Sequence, residues 1–201
     1  MKDTVLTTLQ RVGRALLPPA PGSSRRPPVE DTEPLAAPVD GSRQSAERPA
    51  VAATVVRSPL AGEVIPLSQV EDPAFAAAMV GPGVAIRPSN TEVVSPVDGT
   101  VILVFPTNHA IGLRTETGVE ILIHVGIDTV ELKGRGFEVL VARGDTVQAG
   151  DPLLRFDPEV IAAPGHPLTT PVIVTNSRRV GEPVVVADGT VQHGDELFVI
   201  P

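Results

Sequence analysis

From Thr54 onward, the apolar stretches of this chain are too short and too often broken to make long helices. Gly, Pro, Asp or Asn interrupts the pattern about every eight to twelve residues, the punctuation of a protein made of short strands and turns. The 201 residues include 22 Pro and 18 Gly, enough to supply those breaks. Two stretches echo each other. Ser58-Pro59-Leu60-Ala61-Gly62-Glu63-Val64 resembles Ser95-Pro96-Val97-Asp98-Gly99-Thr100-Val101, and residues 141–151 resemble residues 186–195. Each echo reads as turn, strand and turn. The irregular spacing between copies predicts a pseudo-duplicated all-β sandwich rather than a solenoid. One short helix is expected after Asp72, with Asp72 as cap, Pro73 in the first turn and Gly81 as the stop. A second is expected over Phe137–Ala142.

The first 53 residues belong to a different class. Residues 1–17 fit an amphipathic helix, with Val5, Leu9, Val12 and Leu16 on one stripe and Lys2, Arg11 and Arg14 beside it. A basic helix of that kind suits an anionic membrane surface. Residues 18–53 are rich in Pro, Ser, Ala and charge and read as a disordered tether. The sandwich domain therefore spans 54–201. No apolar run approaches the ~18 residues of a membrane span, and Arg11 and Arg14 break the one candidate leader region. The expected location is the cytoplasm, with peripheral contact at the inner membrane face through residues 1–17. A net charge of −8 argues against general nucleic-acid binding. The absence of cysteine excludes disulfides, thiolate metal sites and cysteine nucleophiles from this chain.

Reactive side chains are scarce, which makes the placement of two of the four histidines informative. His109 and His124 sit in the most apolar stretch, on expected strands 107–114 and 119–126 around Thr115-Glu116-Thr117-Gly118. An even loop sets His109 directly opposite His124 on one face. A three-residue loop with Gly118 as a bulge moves the register by one and sends the rings to opposite faces. The even loop is favoured. It predicts an outward face of Thr107, His109, Ile111, Leu122, His124 and Gly126, with Ile121, Ile123, Val125 and Ile127 turned inward. On that face Gly126 leaves room beside His124, while Leu122 and Ile111 give an apolar rim that Phe75 and Phe105 extend. A neutral imidazole there attacks a phosphoryl group while its neighbour donates to the phosphoryl oxygens. Thr107 is placed to orient the His109 ring. His166 and His193 fall in Pro- and Gly-rich turns and read as surface residues.

These residues also carry a family likeness. Residues 58–176 resemble the glucose-type enzyme IIA of the bacterial phosphoenolpyruvate-dependent sugar phosphotransferase system. The match runs through both Ser-Pro corners, Thr107-Asn108-His109-Ala110, His124-Val125-Gly126-Ile127-Asp128-Thr129-Val130-Glu131-Leu132-Lys133-Gly134, and residues 169–176. The resemblance implies an antiparallel β-sandwich of the barrel-sandwich hybrid type. It implies that His124 accepts phosphate from phosphorylated HPr and passes it to a cysteine of an enzyme IIB domain. His109 would then stabilise the phosphoryl group and Thr107 would support His109. Phe75, Val80, Phe105 and Leu122 fall at the family's partner-facing positions, as do Asp128 and Val130, with Gly126 among them on the same face. Leu122 departs from the aromatic residue often found at its position.

Other readings make distinct demands. A zinc hydrolase on a related scaffold would use His124 and Asp128 but needs a His-x-His triplet, which the sequence lacks. No intrinsic metal site or cofactor is expected, although His109 and His124 could share an interfacial zinc with a partner's carboxylate. A biotinyl or lipoyl carrier needs a lysine at a hairpin tip, and the only lysines are Lys2 and Lys133. A regulatory module binding other proteins through the same patch is compatible with the carrier role, because a phosphate's charge of about −2 would weaken apolar packing there.

Overall fold

Short strands need partners along their edges and cover over their faces, and antiparallel pairing meets the first need throughout the strands described. The computed structural model describes residues 53–201. The expectations for residues 1–17, and for the tether up to residue 52, fall outside them. Eight strands make the largest sheet. Four come from the first part of the domain: β2 (Gly62–Pro66), β3 (Gly83–Pro88), β5 (Gly99–Val104) and β6 (Ala110–Arg114). The others are β7 (Glu120–His124), β9 (Thr146–Val147), β11 (Thr170–Val174) and β13 (Thr190–Val191), in the spatial order β13-β2-β3-β11-β7-β6-β5-β9. A second sheet sets β10 (Pro152–Phe156) between β4 (Glu92–Val94) and β8 (Phe137–Val139). In a third, β14 (Glu196–Ile200) lies between β1 (Thr54–Arg57) and β12 (Val184–Val185). The expected all-β antiparallel sandwich is what the chain forms.

The central strands are buried on both faces. Alternate residues feed two separate apolar clusters, as the two-residue period of a strand requires. Ile111, Ile121, Ile123, Val172 and Val174 enter the main core with Leu153, Leu154 and Phe198. Their neighbours Ala110, Leu122 and Ile173 face the other way, into a smaller cluster with Ile65, Leu67, Val70, Phe75, Phe105 and Ile127. The segment from Leu67 to Pro82, a strap joining β2 to β3, covers this second face. It holds a 3-10 turn (Leu67–Gln69) and the helix α1 (Pro73–Ala76).

Asp72 caps α1 as expected, its Oδ1 accepting from the backbone N–H of Ala74 at 2.7 Å and of Phe75 at 3.1 Å. The helix stops well before Gly81, where Ala78 itself adopts a left-handed conformation with φ of 50°. The second expected helix is absent: Phe137–Val139 is β8, with Phe137 opposite Phe156 and Val139 opposite Leu154. Cross-strand apolar pairing outweighs helix propensity over so short a run. Two further short helices, α2 (Pro158–Ala162) and α3 (Ser177–Val180), and a second 3-10 turn (Thr129–Leu132) lie among the described residues.

The internal echoes are structural twins. Ser58 Oγ donates to Leu60 O at 2.6 Å and Ser95 Oγ to Val97 O at 2.7 Å, both buried. Gly62 pairs with Val191 in one copy and Gly99 with Val147 in the other. Asp195 and Asp151 close matching turns, accepting from the N–H of Gln192 at 2.7 Å and of Gln148 at 2.8 Å.

Candidate active site

The β6–β7 hairpin closes through a three-residue loop, not the favoured even one. Gly118 N–H donates to Thr115 O and Thr115 N–H to Val119 O, each at 3.0 Å, and Gly118 takes a left-handed φ of 84°. The register is therefore one residue from the expectation, with Ala110 rather than His109 opposite His124. Ile111 turns into the main core with Ile121 and Ile123, while Ile127 joins the second cluster.

The rings meet nonetheless. Their centroids lie 4.6 Å apart at an interplanar angle of 72°. His109 precedes β6, so the pleat that would have sent it inward does not reach it. A turn over Phe105–Asn108 delivers it, with Asn108 left-handed at φ 59° and its N–H donating to Phe105 O at 2.8 Å. His109 keeps only its carbonyl in the ladder, accepting from Val125 N–H at 2.8 Å. Asparagine tolerates that backbone better than most residues, and its place just before His109 was the sequence signal for this turn.

Each ring is fixed on one side. His124 Nδ1 lies 2.8 Å from Gly126 O, an acceptor only, so Nδ1 carries the proton and Nε2 keeps its lone pair. Gly126 does not open a space beside the ring, as the sequence reading had it. It is left-handed at φ 71°, and a β-carbon there would lie 2.6 Å from Thr129 Cγ2 and 2.9 Å from Pro167 O. Its contribution is a carbonyl aimed at His124, which the sequence reading missed. Thr107 Oγ1 lies 2.7 Å from His109 Nδ1, as the spacing suggested.

The site is far more covered than expected. His109 is 2% exposed and His124 4%. Phe75 and Phe105 do not rim an open patch; both are buried, each against one imidazole. Phe75 meets His124 at 5.1 Å between centroids and Phe105 meets His109 at 5.2 Å. Leu122 and Gly126 are buried too, leaving Asp128 exposed and Val80 and Val130 half-buried. Burial pushes His109 down from its ordinary 6.5 to about 3, the His124 ring adding to the effect and the Thr107 backbone contact opposing it. Burial lowers His124 as well, against the Gly126 carbonyl and the carboxylates of Asp72 and Asp128. Both imidazoles are therefore neutral near pH 7, the form in which a ring nitrogen attacks an electrophile. Among the described residues, no group of three or more His, Cys, Asp or Glu is arranged to hold a metal ion. A groove of about 760 Å³ lies beside Arg114, Thr115 and Thr117, at the end of the hairpin far from the histidines.

Residues 54–180 match the family described as phosphoenolpyruvate-dependent sugar phosphotransferase system, EIIA 1. The chain belongs to this family. An EIIA component is a phosphotransferase part of a sugar-uptake system working through a phosphohistidine, and nothing among its relatives supports a zinc hydrolase. The chain is 50% identical over 122 residues to a glucose-specific EIIA component of Staphylococcus epidermidis, covering 61% of this chain and 74% of that one. It is 55% identical over 127 residues to a glucose-specific EIIBCA component of Corynebacterium glutamicum, covering 63% of this chain but only 19% of the relative. The chain thus spans about a fifth of such fused relatives, in which EIIA shares a polypeptide with EIIB. Glucose permease IIA from Mycoplasma capricolum superposes with a TM-score of 0.70 at 38% identity, over 74% of this chain and 96% of that one. The family's β-sandwich is the fold seen here.

Proposed function

We propose that His124 Nε2 is the phosphoryl acceptor, taking the group from phosphorylated HPr and passing it to a cysteine thiolate of an enzyme IIB domain. The observation that supports this most directly is the Nδ1 hydrogen bond to Gly126 O, which leaves Nε2 as the nucleophile in a neutral ring. In the first step the donor's P–N bond breaks as the Nε2–P bond forms. The ring then bears positive charge, held by the Nδ1–H bond to the Gly126 carbonyl. In the second step the thiolate takes the phosphoryl group and His124 returns to the neutral state.

His109 assists. With the Thr107 hydroxyl donating to its Nδ1, the His109 Nε2–H is free to donate to a phosphoryl oxygen. Such stabilisation is most of what phosphoryl transfer asks of a protein. Asp128, Val80 and Val130 are the accessible part of the partner surface. The charge placed at the site by phosphorylation also switches any regulatory binding to the same face. This work belongs in the cytoplasm, and residues 1–17 are the segment that would hold the chain at an anionic membrane.

Incubation with enzyme I, HPr and labelled phosphoenolpyruvate tests the assignment. Label enters the native chain and not His124→Ala; label taken up by the folded His124→Ala variant would overturn it.

A further inference from the structure

Two of the five phenylalanines, in a chain with no Trp or Tyr, are spent on the two imidazoles. Phe105 needs no special device to reach His109, being part of the turn that delivers that ring. Phe75 comes from much farther along the chain. It rides on the strap between β2 and β3, in a helix whose first turn exists because Asp72 caps it. At 1% exposure it offers a partner almost no surface, and its ring stands at 60° to His124 with 5.1 Å between centroids. His124 is thereby confined on three sides: by Phe75, by the His109 ring at 4.6 Å and by the Gly126 carbonyl at 2.8 Å.

We propose that Phe75 is a positioning residue for the phosphoryl acceptor, holding the His124 ring in the one orientation that keeps Nδ1 on Gly126 O and Nε2 toward the incoming group. This rests on His124 being the acceptor, and it gives Phe75 work to do on the ring in place of contact with partners. A ring released from Phe75 regains rotation about its side-chain torsions, a loss of the near-attack geometry on which such transfers depend. It also meets more water and becomes easier to protonate. The charged or titratable groups around it are His109 just before β6, Asp72 at the cap of α1 and Asp128 beyond β7.

The test uses the full chain as native, Phe75→Ala and Phe75→Leu, with two phosphoryl donors. Phospho-HPr docks on the protein, whereas phosphoramidate is a small molecule whose P–N bond breaks, releasing ammonia, as Nε2–P forms. Loss of positioning slows acceptance from both donors, by about tenfold for Phe75→Ala at pH 8 and further at pH 5.5. Phe75→Leu, which keeps apolar bulk, recovers part of the rate. Imidazole nitrogen NMR reports the same change without turnover, as a loss of the single Nδ1–H tautomer of His124 in Phe75→Ala. Slower transfer from phospho-HPr alone, carried by KM with kcat and the NMR signature unchanged, would make Phe75 a docking residue and overturn the proposal. Faster acceptance from phosphoramidate would overturn it too, by making Phe75 a barrier. If His124 is not the acceptor, the native chain's label survives His124→Ala, while the tautomer measurement still reads the Phe75 contact.

Discussion

The β6–β7 and β3–β11 pairs share a hydrogen-bonding pattern and differ in chemistry. In one, Ala110 lies opposite His124 and the carbonyl before it, on His109, accepts from Val125 N–H. In the other, Gly83 lies opposite Ile173 and the carbonyl before it, on Pro82, accepts from Val174 N–H. The two histidines thus stand where the twin half has Pro82 and Ile173. Their connections differ as much. A tight turn leads through His109 into β6, whereas the strap over residues 67–82 leads into β3 and lies across both pairs, adding Phe75 to the other half's histidine. The duplication supplied a rigid platform twice, and the asymmetry in two side chains and one loop made a site of only one copy.

The largest expected contrast is between His124→Ala and Ile173→Ala. The first abolishes phosphoryl uptake with a modest effect on folding. The second leaves uptake intact in the folded fraction and costs about 2–5 kcal/mol of stability, as large-to-small changes in a packed core do. Labelled phosphoenolpyruvate and urea unfolding measure the two sides. A folded Ile173→Ala protein without uptake would mean the twin position is part of the chemistry, and the comparison would break.

Acidification should also separate the halves. An unfolded histidine binds its proton near pH 6.5, whereas folded His109 does so only near 3. Across that window the unfolded state holds more protons, so stability falls as pH falls from about 6.5 toward 3. The slope is at most about 1.4 kcal/mol per pH unit for one histidine. Above 6.5 both states are neutral and this contribution is flat. Urea midpoints at pH 7.5 and 5 for the native chain and His109→Gln measure it. The variant's decline should be shallower, with His124 still adding its own share. Equal declines would mean that His109 is not held neutral by burial.

Within the site, Thr107→Val removes the hydroxyl that orients His109 and leaves His124 on Gly126. Acceptance from phospho-HPr then continues while transfer onward slows, by about tenfold if a hydrogen bond worth about 1–1.5 kcal/mol is lost. His109→Ala behaves alike and more severely. Stopped-flow or quench measurements of both half-reactions check this, and equal slowing of acceptance would place Thr107 behind His124 instead.

The sandwich was legible because its signals are local: short apolar runs, alternation and repeated turns. The Asp72 cap was legible for the same reason, since a carboxylate followed by proline acts within one turn. Phe137–Val139 was not, because pairing with Phe156 and Leu154 is a distant contact that no short window contains. The histidines were found by type and spacing, yet the reason given for their meeting was off by one residue. A left-handed Gly118 serves a loop of three residues or of four, so the local sequence does not choose between them, and the compensating turn at Asn108 restores the meeting that the true register would have denied. Burial escaped the reading altogether, since the strap that covers the site is remote in sequence from both rings.

The smallest expected effect bears on the duplication itself. Ser58 and Ser95 make the same buried bond to the carbonyl two residues on, at 2.6 and 2.7 Å, and each sits beside a matching Asp turn. Removing either hydroxyl loses one bond and leaves one buried carbonyl short of a partner, a cost of about 1–2 kcal/mol. Ser58→Ala and Ser95→Ala should therefore shift the urea midpoint by similar amounts without altering phosphoryl transfer. The two corners carry the same bonds but different loads. The Ser95 corner leads into β5 and on through the turn that sets His109, whereas the Ser58 corner leads through β2 into the strap that sets Phe75. A transfer defect confined to one variant would show that its corner's geometry reaches the histidines, and would identify which of the two routes, turn or strap, holds the rings in register.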